Sequence, residues 1–266
     1  MVTPEPLVEV AIDDGVATIS LCDPASGNAL SAGMVEVLTR RCEELGRDPA
    51  VRVVVLCGAA DVFCSGAPPE LLAELVRGGG VAPTDIRLAR VLLDLPIPSL
   101  AAVEGHAVGG GLALALSADI IILARESRFG MPFMDLGFTP GMGTTRLLEH
   151  VLSPAIAHEL LLTGEMRRGD AFAGSGVNHV LPRSAVRPKA MDLARRIAEK
   201  PRSALELLKR ALSLPRRRIF EETYTLETLM HQVSFHDLAT RQQQGLEQLP
   251  QPQPQRQNVV GDAHVE

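Results

Sequence analysis

Apolar positions along the chain change period several times, and each period predicts an element. Val8 to Ile12 and Val16 to Leu21 are β-branched runs on either side of Asp13-Asp14-Gly15, which predicts two strands joined by a hairpin. Met34, Val35, Leu38, Cys42 and Leu45 then recur at helical spacing, with Asn28 or Ser31 able to cap the helix. Val51 to Cys57 is an unbroken apolar run between Pro49 and Gly58, as a strand covered on both faces would be. The cycle returns: Ser99 to Val103 reads as strand, Gly109 to Ala118 as buried helix and Ile120 to Ala124 as strand. Parallel strands with helical crossovers explain this uniform apolarity, so an α/β fold is expected. Past Gly141 the pattern is helical, with candidate helices at Thr144 to Val151, Pro154 to Leu162, Gly169 to Gly174, Pro188 to Lys200, Ala204 to Leu212 and Phe220 to Arg241. From Leu249 onward the Pro/Gln-rich run has the composition of a disordered tail.

Composition narrows the classes. A chain of 266 residues supports a substantial core, yet aromatics are only 3% with no Trp, so small aliphatic side chains must build it. Cys22, Cys42, Cys57 and Cys64 show no CxxC or Cys/His spacing, which reads as reduced thiols of a cytoplasmic protein and offers no metal site. The N-terminal MVTPEPLVEV has no basic region followed by a long apolar run. The apolar stretches Leu112 to Ala118 and Ile120 to Ala124 are interrupted by Asp119 and fall short of the ~20 residues that span a bilayer, so a soluble chain is expected. A net charge of −6 speaks against a general nucleic-acid surface.

Three glycine-containing segments carry the candidate chemistry: Phe63-Cys64-Ser65-Gly66-Ala67, Gly105-His106-Ala107-Val108-Gly109-Gly110-Gly111, and Gly137-Phe138-Thr139-Pro140-Gly141-Met142-Gly143. The middle segment is not GxGxxG, because Leu114 stands at the last position, and no lysine makes it a phosphate-binding Walker loop. Nucleotide binding is therefore disfavoured. A glycine triplet at a helix start exposes backbone NH groups beside the positive end of the helix, which suits a developing oxyanion, and an NH from another loop would complete the hole.

FCSGA, then PSLAAVEGHAVGGGLALALSADIIILA, then SRFGMPFMDLGFTPGMGTTRLL together resemble the crotonase (enoyl-CoA hydratase/isomerase) superfamily, over about residues 8 to 240. The resemblance implies a core of ββα spiral units over residues 1–200, a helical oligomerisation region at 201–245 and a tail at 246–266. It also implies a homotrimer or pair of trimers. Its two oxyanion-hole positions fall on Ala67 and Gly110. An acyl-pantetheine thioester would lie against Cys64, Gly66, Ala67, Gly109 and Gly110, with no further cofactor.

The departures from the family pattern sharpen the expectation. The two positions where hydratases carry glutamates are Ala113 and Phe133, and the position of the single glutamate of many isomerases is Gly141. Hydration needs groups to activate water and deliver a proton, so it is disfavoured. A hole with no strong base beside it suits a carbanion formed without proton abstraction, as in decarboxylation. ADIIILARES, PFMDLGFTPG and His231-Gln232-Val233-Ser234-Phe235 resemble the decarboxylating members of polyketide β-branching cassettes, which act on a 3-methylglutaconyl group held by an acyl carrier protein.

That resemblance implies a catalytic His231, against the plainer reading of a core histidine on an apolar helical face. The tyrosine and lysine of that subfamily are Leu71 and Leu75 here, so another cation such as Arg77 or Arg87 substitutes or the substrate differs. Arg216-Arg217-Arg218 reads as a solvated turn or as a dock for an acidic carrier protein. His106 either faces the site or fills a strand end. Cys64 lacks a matching base and reads as structural, and Asp135 as a loop hydrogen-bonder. Rival readings are an isomerase or dehydratase using His231 or His106 as base, and a non-catalytic homologue that scaffolds polyketide modules.

Overall fold

The structure is a computed structural model that describes residues 7–77, 88 and 90–243. Arg87 and the tail expected from Leu249 lie outside the described residues. Strands β1 (Val8–Asp13) and β2 (Val16–Leu21) form the expected hairpin. Asp14 and Gly15 turn it with φ of 46° and 82°, the two left-handed residues that a tight hairpin turn demands. Helix α1 (Ala32–Arg47) is capped by Ser31, whose side chain accepts from the Met34 NH. Asn28, the other cap candidate, has a different role described below.

Strand pairs then feed two sheets in alternation. β3 (Val53–Cys57), β5 (Ser99–Val103), β7 (Ile120–Ala124) and β10 (His179–Leu181) extend the hairpin into one sheet of order β1-β2-β3-β5-β7-β10. β4 (Val62–Cys64), β6 (His106–Val108), β8 (Arg128–Gly130) and the two-residue β9 (Arg167–Arg168) form the second. Helices α2 (Pro69–Val76) and α3 (Gly110–Leu116) follow β4 and β6, so β3-β4-α2 and β5-β6-α3 are successive ββα turns of a spiral. Further helices among the described residues are α4 (Thr144–Val151), α5 (Pro154–Thr163), α6 (Arg183–Ala198) and α7 (Arg202–Gln243).

The unbroken apolar runs have the predicted cause. Val53, Val55 and Cys57 pack under α6, while Val54 and Leu56 face the main core with α1 and α3. α6 presents Val186, Ala190, Ala194 and Ala198 at four-residue spacing, and these small side chains let it lie close against the sheet.

Three sequence expectations change. Gly169 to Gly174 shrinks to a 3₁₀ turn over Gly169–Phe172, and α6 begins at Arg183 rather than Pro188. The two predicted C-terminal helices are one helix of 42 residues that runs through Pro215. Proline normally breaks a helix because it lacks an NH and crowds the preceding turn. Here side chains around Pro215 anchor the helix. Lys209 and Arg216 both reach Asp119 at 2.6 Å, and Arg217 donates to the Leu93 carbonyl. The triple arginine is therefore no solvated turn: Arg216 is buried, Arg217 also pairs with Asp94, and of the three Arg218 is exposed. A docking role for the trio is lost with that burial.

Candidate active site

The cavity that matters lies between the two sheets' loops and α7. It is lined by Ala67 and Gly110 on one side, by Leu71, Leu72 and Leu75 of α2 on another, and by Tyr224, Glu227, Thr228 and His231 of α7 opposite. Phe133, Phe138, Gly141 and Met142 complete the wall. The structure thus brings Ala67, Leu71 and Leu75 together with Gly110, Phe133 and His231, which lie far from that segment in sequence.

The NH groups of Ala67 and Gly110 are each fixed by their own lacing. The loop after β2 is sewn to β4: Asn28 Nδ2 donates to the carbonyls of Val62 and Phe63, and the Leu30 NH donates to the Gly66 carbonyl at 2.8 Å. Asn28 is fully buried in a left-handed conformation, φ 55°, which asparagine tolerates better than most residues. Gly66 turns with φ 86°, and a Cβ there would sit 2.6 Å from the Val108 carbonyl oxygen, so only glycine lets the loop approach β6. Of the glycine triplet, the Gly109 NH is consumed by the Gly130 carbonyl, whereas no acceptor among the described residues meets the NH groups of Gly110 or Ala67. Cys64, Gly66 and Gly109 form the frame behind the cavity. Cys64 packs against Gly111, and burial pushes its thiol up to about 12, so it is no nucleophile.

The hydratase carboxylate positions are apolar in space as well as in sequence: Ala113 is buried on α3, and the Phe133 ring lies against Gly109. Gly141 is glycine because the His231 ring occupies its side-chain space, with a Cβ there falling 2.6 Å from Cε1. His231 Nε2 donates to the Thr139 carbonyl at 2.8 Å, and its ring meets Phe138 and Phe235 edge-on. That bond places the proton of the neutral ring on Nε2 and leaves Nδ1 unprotonated.

Burial lowers the His231 pKa below the usual imidazole value, partly offset by the carbonyls of Thr139 and Pro140. A base with a depressed folded pKa favours folding above its unfolded value near ~6.5 and loses that contribution as pH falls through the folded value. His231→Ala should therefore flatten the loss of stability as pH falls below about 6.5. Denaturant titrations above and below that pH measure this, and an unchanged slope would mean the ring is solvated.

Sequence reasoning missed one carboxylate. Glu227, only 2% exposed, lines the cavity and accepts from the Gly143 NH at 2.6 Å, the Thr145 NH at 2.9 Å and the Thr145 hydroxyl. Burial raises its pKa and these three donors pull it back. His106 does not line the cavity: its Nδ1 accepts from the Arg128 NH at 2.8 Å in the second sheet. Arg77 also lies outside the wall, with Nε donating to the Ala73 carbonyl. The Asp135 carboxylate is exposed and sits against Gly164.

The sequence matches the enoyl-CoA hydratase/isomerase family over residues 11–253. The chain belongs to that family. Among its relatives it is 36% identical to the bacillaene synthase decarboxylase PksI of Bacillus subtilis over 228 residues, which is 85% of this chain and 91% of that protein. It is 31% identical over 198 residues to the 2,3-dehydroadipyl-CoA hydratase of Escherichia coli, 74% of this chain and 78% of that one. Its fold superposes on a solved member of a dehydratase/decarboxylase enzyme couple involved in polyketide β-branching, with a TM-score of 0.84 at 35% identity over 91% of this chain and 99% of the other. The ECH2 decarboxylase domain of CurF from Lyngbya majuscula gives a TM-score of 0.82, again at 35% identity, over 90% and 99% of the two chains. The family thus includes both hydratases and decarboxylases. No helix among the described residues is long and apolar enough to cross a membrane.

Proposed function

We propose that this chain decarboxylates a 3-methylglutaconyl-type thioester carried on an acyl carrier protein, with the NH groups of Ala67 and Gly110 holding the enolate oxygen. The observation that carries this reading is a cavity with two NH donors that meet no acceptor among the described residues, walled by Phe133 where a hydratase needs one carboxylate, while the position of the other is the buried Ala113. The likeness to a solved decarboxylase domain and to a solved member of a dehydratase/decarboxylase couple, each over nine tenths of the chain, supports it.

In the reaction, the bond from the γ-carbon to the carboxylate breaks and CO₂ leaves. The electron pair passes through the conjugated system to the thioester oxygen, and a proton then returns to carbon. Two NH donors stabilise the charge where it accumulates, and each is worth about 3–4 kcal/mol in comparable holes. The leucine wall assists from the other end. Among the described residues no lysine or arginine lines the cavity, so a carboxylate against Leu71, Leu72 and Leu75 is stripped of water. Loss of charge as CO₂ relieves that desolvation. His231 is the proton relay: Thr139 holds Nε2–H, so an imidazolium here carries its transferable proton on Nδ1.

His231→Ala should lower kcat by ~10²-fold on the carrier-bound thioester. The wild-type kcat should rise as pH falls toward the depressed imidazole value, because the donor form is present below that value and lost above it. A variant that keeps the wild-type rate and profile would make the histidine structural only. Release of CO₂ from the 3-methylglutaconyl thioester, followed by mass spectrometry of the carrier, tests the reaction itself. Conversion without mass loss would replace it with a double-bond shift, and no turnover would leave a scaffold.

The same reading includes a homotrimer or pair of trimers working in the cytoplasm. The four thiols are free, and α7 exposes Leu207, Leu208, Leu212, Leu226, Leu229 and Val233. Such apolar side chains on one helix favour burial against further copies.

A further inference from the structure

We propose that Glu227 is a positioning residue of this site: from α7 it fixes the Gly141-Met142-Gly143 turn that roofs Gly110. This rests on the decarboxylation reading, and it adds a residue that reading does not use. Met142 holds a left-handed backbone, φ 61°, a conformation that an unbranched non-glycine residue keeps only when its surroundings impose it. Its sulfur lies 3.1 Å from where a Cβ on Gly110 would be, so the thioether covers the residue whose NH faces the thioester oxygen.

Three side chains from one face of α7 mould this turn. The Phe220 ring leaves no room for a Cβ at Gly143, where it would fall 2.5 Å from Cδ2. His231 does the same at Gly141. Glu227, between them, is the one that makes directional bonds, to the NH groups on either side of Thr144 and to the Thr145 hydroxyl. Three donors converging on one carboxyl require an acceptor at both oxygens. An amide cannot provide that, because its NH₂ would face a donor. Release of the turn would move Met142 off Gly110 and admit water to the hole, where each donor acts strongly only while water is excluded.

Glu227→Gln separates this role from that of a plain helix cap. Because sub-ångström errors in a site are costly, kcat should fall by roughly 10–100-fold while KM changes by less than about 3-fold. The ratio of α- to γ-protonated product should also shift, since the dienolate would sit under an altered roof. Thr145→Val, which removes one donor of three, should move kcat and the product ratio in the same direction by less. It serves if the glutamine protein does not fold. A folded Glu227→Gln protein with a lowered Tm but unchanged kcat and product ratio would make Glu227 a cap and overturn the proposal.

Failure of the decarboxylation reading is a different result, namely no CO₂ from the wild type. In that event a thioester analogue with a sulfonate in place of the leaving carboxylate scores the roof by binding. Weakening by about 10-fold in Glu227→Gln supports the positioning role, and equal affinity refutes it.

Discussion

Gly110→Pro should remove turnover, by ~10²–10³-fold from the lost NH alone, while the protein still folds. Gly110 is the first residue of α3, where proline's missing NH costs no helical bond and its fixed φ is suitable. The preceding Gly109, with φ 51°, lies outside the conformations that proline denies to residues bearing a Cβ. What changes is the donor facing the thioester oxygen. Gly110→Ala is the control, since it keeps the NH. Its Cβ would press on the flexible ends of Leu30 and Met142 at 3.0 and 3.1 Å, which can shift. The alanine variant should therefore stay well above the proline variant in kcat. Equal losses in the two would mean that crowding, and not the NH, matters here.

Asp119→Ala should cost about 3–5 kcal/mol of folding stability, a large share of the ~5–15 kcal/mol that holds a typical domain. Asp119 receives Lys209 and Arg216 at 2.6 Å each, and it accepts from the NH and hydroxyl of Ser99. Lys209 is 2% exposed, and burial lowers its pKa against the pull of Asp119. Removing the carboxylate strands two cations in the interior. Urea unfolding measures the loss, and a change below about 1 kcal/mol would show that the cations reach water when unpaired. Lys209→Met together with Asp119→Ala should recover part of the loss, because one uncompensated charge is then gone.

How far the sequence could be read differs from element to element. The sheet strands were legible because Val53–Cys57 and Ile120–Ala124 are apolar at every position and Ser99–Val103 at every position after its first, and two-sided burial is what produces that pattern. The glycine segments were legible as close approaches, and the structure shows a contact that forbids a Cβ at Gly66, Gly111 and Gly141. The polar side of the cavity was not legible in the same way. His231 was found through resemblance and not through periodicity, and Glu227 was not found at all. Its helix neighbours Leu226 and Leu229 are exposed while Phe220 and Phe235 are buried on its own face, so apolar residues lie on both sides of α7 and do not single out the face that carries the chemistry.

Pro215 and the three arginines misled for a single physical reason. Local rules place proline at a helix end and clustered arginines in water, whereas Asp119, almost a hundred residues earlier, overrides both. Such long-range pairing has no local signature. An aspartate between two apolar runs was the one available hint.

The dependence of the site on α7 also sets a schedule for its assembly during synthesis. Ala67 and Gly110 leave the ribosome early, and the sheets around them can form behind it. Asp119 emerges with that core but waits 90 residues for Lys209 and 97 for Arg216. Glu227 and His231 come later still. A nascent chain therefore carries the Ala67 and Gly110 NH groups in an open, leucine-lined groove until α7 closes over it. Until then the exposed groove is what chaperones would meet.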